Sequence, residues 1–327
     1  MQKRFLPVVL VFLVIPAVTL IVLASFPKKH NGLASPTAEV TDANLLKYKN
    51  TLLNKRAASK VGEFTNSMAL GTEALPDVRA NSALSVDIVT NQIIYHKNAT
   101  AKLPIASLTK IMTAIVALEH LKLTQELTVS TNAATIGENM MGTTEGEKYT
   151  FEELLYGLIL HSGNDAAYTI AENAAGNVAT FVEWMNFKAE ELGLGDTRFY
   201  DPSGLDDNTY STAYDLVKLT KYALQNPDFK KVVATVDKEI AYVKGQHKYL
   251  PLSNQTNLLT TYPGVLGVKT GYTEAANLCL VSYAKNNDVE IVSVVLASDA
   301  RKTDMIQILD ASFAQKGVII SHPLLDF

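Results

Sequence analysis

Cysteine is nearly absent from this sequence, since Cys279 is the only one among 327 residues. The chain therefore forms no internal disulfide and contains no metal site built from several cysteines. Cys279 lies in the apolar run Asn277-Leu278-Cys279-Leu280-Val281, which predicts a buried strand with the thiol as a small core residue. The six histidines lack the spacing of metal ligands, and His161 is predicted to lie at a helix end. We expect neither a metal ion nor a cofactor.

A large excess of one charge sign is also lacking. The chain has 29 basic and 33 acidic residues, a net charge of -4, and no long basic run. Surfaces that bind nucleic acid are strongly basic, so the composition argues against nucleic acid as a partner. With 47% hydrophobic residues and no internal repeat, the chain is typical of a globular protein with one large domain or two small ones.

Long apolar runs are absent except at the N-terminus, where the uncharged segment Phe5 to Phe26 follows Lys3 and Arg4. This run is long enough to span a bilayer as a helix. A secretory signal usually has a shorter apolar core and a small-x-small cleavage site, which Leu23-Ala24-Ser25 matches poorly. We therefore expect residues 1–26 to be an uncleaved membrane anchor, with a cleaved signal peptide as the alternative. Both interpretations export the chain.

The rest of the chain divides into a spacer and a globular domain. Residues 27–79 are polar and have only weak helical periodicity, which predicts a spacer. Residues 80–327 begin with two strand-like runs that predict a hairpin, and they end with strand-like runs and a closing helix from about Thr303. Helical patterns fill the region between these ends. We predict an α+β domain whose single sheet is assembled from both ends of the domain and covered by a helical cluster.

A pair of polar residues marks the start of one predicted helix. In Ala106-Ser107-Leu108-Thr109-Lys110, the hydroxyl and the amine lie three residues apart and face the same side. A serine becomes nucleophilic when a base removes its proton, and a lysine with a lowered pKa provides that base. The same spacing occurs at Ser25 to Lys28, which contains a proline, and at Ser282 to Lys285, which lies in a strand-like run. Only Ser107 is predicted to begin a helix.

Two further motifs supply groups that a serine acyltransferase needs. Ser162-Gly163-Asn164 lies between two predicted helices and offers a proton route to a leaving amine. Lys269-Thr270-Gly271 ends a strand-like run and offers a cationic edge for an anionic substrate. A second Ser-x-Asn at Ser130 to Asn132 lacks the flanking helices. Each motif alone is typical of a cap, a turn or a strand end, and only their combination indicates an enzyme.

With their neighbours, these motifs resemble those of the penicillin-recognising serine enzymes, and within them the low-molecular-mass D-alanyl-D-alanine carboxypeptidases. The resemblance covers roughly Asn81 to Phe313. It implies a β-lactamase/transpeptidase-like fold with an antiparallel sheet, peptidoglycan stem peptides as substrates, and β-lactams as covalent inhibitors. The Glu-x-x-Leu-Asn segment with which class A β-lactamases activate water is missing between Ser162 and Lys269, so we expect penicillin to acylate Ser107 and leave slowly.

The resemblance also implies a role for each residue of the three motifs. Ser107 would attack the carbonyl between two D-alanines, and Lys110 would accept its proton. Ser162 would relay a proton to the departing D-alanine, while Asn164 would hold Lys110 and the substrate amide. Lys269 and Thr270 would bind the terminal carboxylate, and Gly271 would allow close approach of the backbone. The N–H groups of Ser107 and Tyr272 would form the oxyanion hole.

Several alternatives remain open from the sequence. A D,D-endopeptidase that cuts crosslinks would use the same motifs, and a non-hydrolytic β-lactam or muropeptide sensor would keep the fold while losing a catalytic group. Retention of all three motifs argues against the sensor. Arg198 and Arg301 have the chemistry to pair with a carboxylate. An exposed surface position is nevertheless the expected location of both.

Overall fold

The computed structural model describes residues 63–65 and 75–325. The predicted anchor, residues 1–26, and much of the predicted spacer lie outside the described residues. Among the helices that are described, none has the length and apolar character needed to cross a bilayer.

The described chain contains eleven strands and nine α-helices. The strands are β1 Ser82–Asp87, β2 Gln92–Lys97, β3 Leu103–Pro104, β4 Glu126–Thr128, β5 Lys148–Thr150, β6 Tyr210–Ser211, β7 Asp237–Ile240, β8 Leu250–Ser253, β9 Val265–Thr273, β10 Asn277–Asn286 and β11 Val289–Ser298. The helices are α1 Lys110–His120, α2 Thr131–Ala134, α3 Phe151–Ile159, α4 Asn164–Ala175, α5 Val178–Glu191, α6 Ala213–Ala223, α7 Pro227–Val233, α8 Leu258–Thr261 and α9 Arg301–Gln315. A single 3₁₀ turn, Ala106–Thr109, precedes α1.

The main sheet is antiparallel and has five strands in the order β2-β1-β11-β10-β9. Strands from the start of the domain therefore pair with strands from its end, since β1 lies beside β11. The predicted α+β architecture and the predicted hairpin are both confirmed. Strand β9 lies at one edge of this sheet, and its outer side faces the 3₁₀ turn before α1.

Both faces of the sheet are buried, which explains the nearly continuous apolar sequence of β11. Ile291 and Val295 pack with α9 on one face, while Val292 and Val294 pack with the helical cluster on the other. This is the alternation that a strand imposes on successive side chains. Cys279 in β10 is fully buried on the helical side, which confirms its predicted core position.

The sequence predicted the longer helices well and the short hairpin β7–β8 poorly. The apolar run Ile240 to Val243 is typical of a strand, but β7 ends at Ile240, because Val243 already pairs with His247 across a turn that contains Gly245. Helix α7 was not predicted. Its signal is local, because the Asn226 side chain accepts the N–H groups of Asp228 and Phe229 and Pro227 occupies the first turn.

One buried carboxylate joins the two ends of the domain. Asp304 in α9 accepts hydrogen bonds from the backbone N–H groups of Arg79 and Ala80, at 3.0 and 2.9 Å, and from the Ser298 hydroxyl at 2.6 Å. Asp304 is 2% exposed, so water does not replace these bonds if they are lost.

We expect Asp304→Ala to lower the free energy of unfolding by about 3 kcal/mol, because it leaves buried donors without an acceptor. The measurement is chemical denaturation of the full chain. Asp299→Ala is the matched control, since Asp299 forms only a solvent-exposed pair with Arg79, and it should leave the denaturation midpoint unchanged. Equal effects of the two substitutions would contradict the assigned role of Asp304.

Candidate active site

The nucleophile candidate lies on a strained turn at the base of the sheet edge. Ser107 is half-buried in the 3₁₀ turn, and its predecessor Ala106 has φ 47°, which is unusual for a residue with a side chain. Gly204 presses against this turn. A Cβ at Gly204 would lie 1.9 Å from the Ala106 carbonyl oxygen, so only glycine fits there. Close contact with Gly204 therefore fixes the backbone conformation of Ala106, the residue before Ser107.

Lys110 is fully buried and surrounded by oxygen atoms. Its Nζ lies 2.9 Å from Ser107 Oγ, 2.7 Å from Asn164 Oδ1 and 2.7 Å from the Ser203 carbonyl oxygen. Burial lowers the pKa of Lys110 to about 7, although the negative charges of Asp201 and Asp165 raise it in part. An amine with this pKa is available as a base near neutral pH.

The second motif connects α3 to α4 and brings Asn164 to Lys110. Asn164 begins α4, and its side-chain nitrogen donates to the Gly137 carbonyl at 3.1 Å, so its oxygen faces the lysine. Ser162 is buried with φ 59°, a left-handed conformation that is costly for serine. Within the described part of the chain, the Ser162 hydroxyl has no hydrogen-bond partner, which leaves it free for a ligand.

The third motif lies in edge strand β9. Its lysine, Lys269, is buried with little around it to stabilise a positive charge. Lys269 Nζ donates only to the Thr270 carbonyl, at 3.1 Å, among the described residues. Burial, together with the positive charges of Lys110 and Arg301, holds the pKa of Lys269 well below its usual range. A buried amine with unused donors is a site for an anion.

The last two residues of the predicted site form the contact between β9 and the nucleophile turn. A Cβ at Gly271 would lie 3.2 Å from Ser107 N, so a side chain there would crowd the expected oxyanion donor. Tyr272 follows and is 60% exposed. The structure therefore places the N–H-bearing turn of Ser107 against the end of β9.

The two arginines have different positions. Arg198 is exposed, as expected, and its backbone pairs with Tyr210. The expectation of an exposed position is wrong for Arg301. Its guanidinium is half-buried and donates to the Gly271 carbonyl at 2.8 Å and the Cys279 carbonyl at 3.4 Å, because the side chain reaches across β10 to β9. No carboxylate of the described residues pairs with it.

The sequence alone did not reveal two of the groups that position Lys110. Ser203, in the turn Asp201-Pro202-Ser203-Gly204, contributes a backbone carbonyl, which no residue-type pattern reveals. Asp165 directly follows the second motif, and its fully buried carboxylate accepts hydrogen bonds from a neighbouring loop. The described residues contain no cluster of His, Cys, Asp or Glu side chains arranged to hold a metal ion.

Taken together, the site contains a half-buried serine beside a base of lowered pKa and a buried cationic strand edge. This is the arrangement for nucleophilic acyl transfer to a substrate that carries an anion. A family model described as D-alanyl-D-alanine carboxypeptidase matches residues 69–300. The chain belongs to this family. It is therefore a serine-type peptidase of the D-Ala-D-Ala carboxypeptidase family.

Individual members of the family are similar over most of the chain. The D-alanyl-D-alanine carboxypeptidase DacF of Bacillus subtilis is 35% identical over 75% of this chain and 64% of its own length. A D-alanyl-D-alanine endopeptidase of Escherichia coli is 31% identical over 72% of this chain and 76% of its own. The crystal structure of the Streptomyces K15 DD-transpeptidase superimposes with a TM-score of 0.71 at 32% identity, covering 74% of this chain and all of that one.

We expect Gly204→Ala to slow acylation of Ser107 by penicillin at least a hundredfold, because a displaced nucleophile reacts poorly. The measurement is the rate of labelling by a fluorescent penicillin. Gly176→Ala is the matched control, since Gly176 has φ 84° against 83° for Gly204 but no atom within 4 Å of the added Cβ. Similar slowing in both variants would show that backbone strain alone is responsible.

We expect the acylation rate to rise with pH through about 7, because Lys110 acts as a base only after losing its proton. Below that pH, the neutral fraction of the amine falls about tenfold for each unit. The rate of penicillin labelling between pH 5.5 and 8.5 measures this, with intrinsic hydrolysis of the reagent subtracted. A flat profile would rule out a lysine with this pKa as the base.

Proposed function

We propose that this protein removes the terminal D-alanine from peptidoglycan stem peptides through an acyl-enzyme on Ser107. The contact of Lys110 Nζ with Ser107 Oγ, at 2.9 Å inside a buried site, carries the proposal. Family membership supplies the substrate class, and the buried Lys269 of β9 fits the free carboxylate of such a peptide.

Acylation follows from the positions of the groups. Ser107 Oγ attacks the carbonyl carbon between the two D-alanines while neutral Lys110 takes the hydroxyl proton. The resulting oxyanion lies between the N–H groups of Ser107 and Tyr272. The C–N bond then breaks, Ser162 passes a proton to the leaving amine, and D-alanine departs. Attack by water on the ester releases the shortened peptide and restores Ser107.

Recognition of the leaving group rests on the cationic edge of the site. The Lys269 amine has N–H donors that no acceptor of the described residues uses, and Thr270 follows it in β9. Arg301 lies behind this edge and binds the Gly271 carbonyl. A carboxylate placed here gains charge-assisted hydrogen bonds and offsets the repulsion between Lys269 and Arg301.

A crosslink-cutting D,D-endopeptidase is the second candidate, because a relative with that name is 31% identical. The two activities differ in what occupies the acceptor side of the site. A carboxypeptidase binds a free terminal carboxylate, whereas an endopeptidase accepts a crosslinked residue. Lys269 pairs with no carboxylate of the described residues. It therefore favours a substrate with a free terminal carboxylate, which is the substrate of a carboxypeptidase.

The test is incubation of the full chain with three peptides: a pentapeptide ending in D-Ala-D-Ala, the same peptide ending in D-alaninamide, and a crosslinked dimer. We expect release of D-alanine from the first and at least tenfold slower cleavage of the amide, because it lacks the charge that Lys269 binds. Product masses give the rates. Preferential cleavage of the dimer would establish the endopeptidase instead.

Two variants complete this experiment. Ser107→Ala should abolish release of D-alanine. Ser130→Ala is the control, because Ser130 belongs to the other Ser-x-Asn triplet and only caps α2 by accepting the Ala133 N–H. Binding of penicillin by the wild-type chain without turnover of any peptide would support the sensor.

We further propose that residues 1–26 anchor the enzyme in the cell membrane with the catalytic domain outside the cytoplasm. The apolar length of Phe5 to Phe26 and the extracellular location of peptidoglycan support this arrangement. The intact mass of the protein isolated from cell membranes should include residues 1–26. A shorter chain recovered from the medium would identify a cleaved signal peptide.

A further inference from the structure

The geometry at Lys110 defines how its protons are distributed in the reactive state. A neutral amine has two N–H donors and one lone pair. Asn164 Oδ1 and the Ser203 carbonyl oxygen only accept hydrogen bonds, so they occupy the two donors. The lone pair then points at the remaining neighbour, the Ser107 hydroxyl. The direction of the Lys110 lone pair toward Ser107 therefore depends on the positions of these two acceptors.

The first acceptor is held by a loop that Asp165 organises. The Asp165 carboxylate accepts the backbone N–H groups of Met141, Gly142 and Thr143 at 2.8 to 2.9 Å, as well as the Thr143 hydroxyl at 3.0 Å. The same loop binds the start of α4 in return. Its Asn139 carbonyl accepts Asn164 N–H at 2.7 Å, and its Gly137 carbonyl accepts the Asn164 side chain.

The second acceptor is held by a turn that Asp201 organises. The Asp201 carboxylate accepts the N–H groups of Gly204 and Leu205 at 2.7 and 2.9 Å, and the Ser203 hydroxyl at 2.6 Å. This turn exposes the Ser203 carbonyl to Lys110. Asp201 is 5% exposed and Asp165 is fully buried, so both act in a medium where hydrogen bonds to charge are strong.

We propose that Asp165 and Asp201 are a pair of positioning residues for the base, each ordering one of the two loops whose oxygen atoms direct the Lys110 lone pair at Ser107. The proposal rests on Lys110 being the base of the proposed reaction. Neither carboxylate contacts Lys110 itself, and the two belong to different parts of the chain, α4 and the turn before β6.

The same two carboxylates act on Lys110 through their charge. The charged groups that face it are Asp165 on α4, Asp201 on the turn and Lys269 on β9, with Arg301 behind Lys269. The two negative charges favour the ammonium form and raise the pKa of Lys110 against the effect of burial. Removal of either charge while the loop is kept should therefore lower that pKa and extend acylation to more acidic pH.

The test is the pH profile of penicillin labelling for the full chain and its Asp165→Asn and Asp201→Asn variants. We expect at least a tenfold lower maximal rate in each, because a side-chain amide has one acceptor atom where the carboxylate has two. We also expect the acidic limb of the profile, the range in which the rate rises with pH, to move to lower pH by about half a unit. A lower rate with the limb unmoved would overturn the charge effect and leave a purely structural role.

Charge-conserving variants separate position from charge. Asp165→Glu and Asp201→Glu keep the carboxylate but shift it by one methylene, so the maximal rate should fall while the acidic limb stays near its wild-type pH. A wild-type rate in both would overturn the positioning role. Asp201 binds three donors and Asp165 five, so Asp201→Glu and Asp201→Asn still provide the test if the Asp165 variants do not fold.

Asp87→Asn is the matched control. Asp87 is 2% exposed and also accepts backbone N–H groups, from Val89 and Thr90, but it pairs with Lys316 and is not among the charges that face Lys110. Its substitution should lower the unfolding temperature and leave the acidic limb in place. Failure of the wild type to release D-alanine, with the profiles shifted as expected, would reject the proposed function and leave this inference standing.

Discussion

Burial of one amine among three oxygen atoms is the constraint on which this molecule depends. Lys110 is removed from water, which costs a charged amine several kcal/mol and lowers its pKa to about 7. The cost is tolerated because three acceptors lie within 2.9 Å of Nζ. The fold places these acceptors, which come from segments distant in sequence, around the same nitrogen atom.

The sheet topology explains how that delivery occurs. Pairing of β1 with β11 brings the two ends of the domain together, and the helices between them project to one side of the resulting sheet. Strand β9 is left as an edge, and the turn bearing Ser107 packs against its end at Gly271. The site lies where a sheet edge meets the first turn of a helix, so it exists only when the whole domain is folded.

Sequence patterns predicted the residues whose type carries chemistry, and they missed those that act through the backbone. Ser107, Lys110 and Lys269 stand out because three separate motifs together supply the hydroxyl and amine groups of one reaction, although each motif alone is ordinary. The Ser203 carbonyl and the loop held by Asp165 have no residue-type signature, since their roles come from tertiary contacts. Arg301 was misjudged for the same reason, because its burial depends on β10 lying between α9 and β9.

The cluster of Lys110, Lys269 and Arg301 has a consequence for the stability of the protein. Burial and the positive charges of Lys110 and Arg301 disfavour the ammonium form of Lys269, and Lys269 and Arg301 are paired with no carboxylate of the described residues. Such an arrangement opposes folding, and a protein selected for durability alone would replace one of these side chains with a neutral one. An anion bound beside Lys269 offsets this repulsion, so substrate-like anions should stabilise the folded protein as well as serve as reactants.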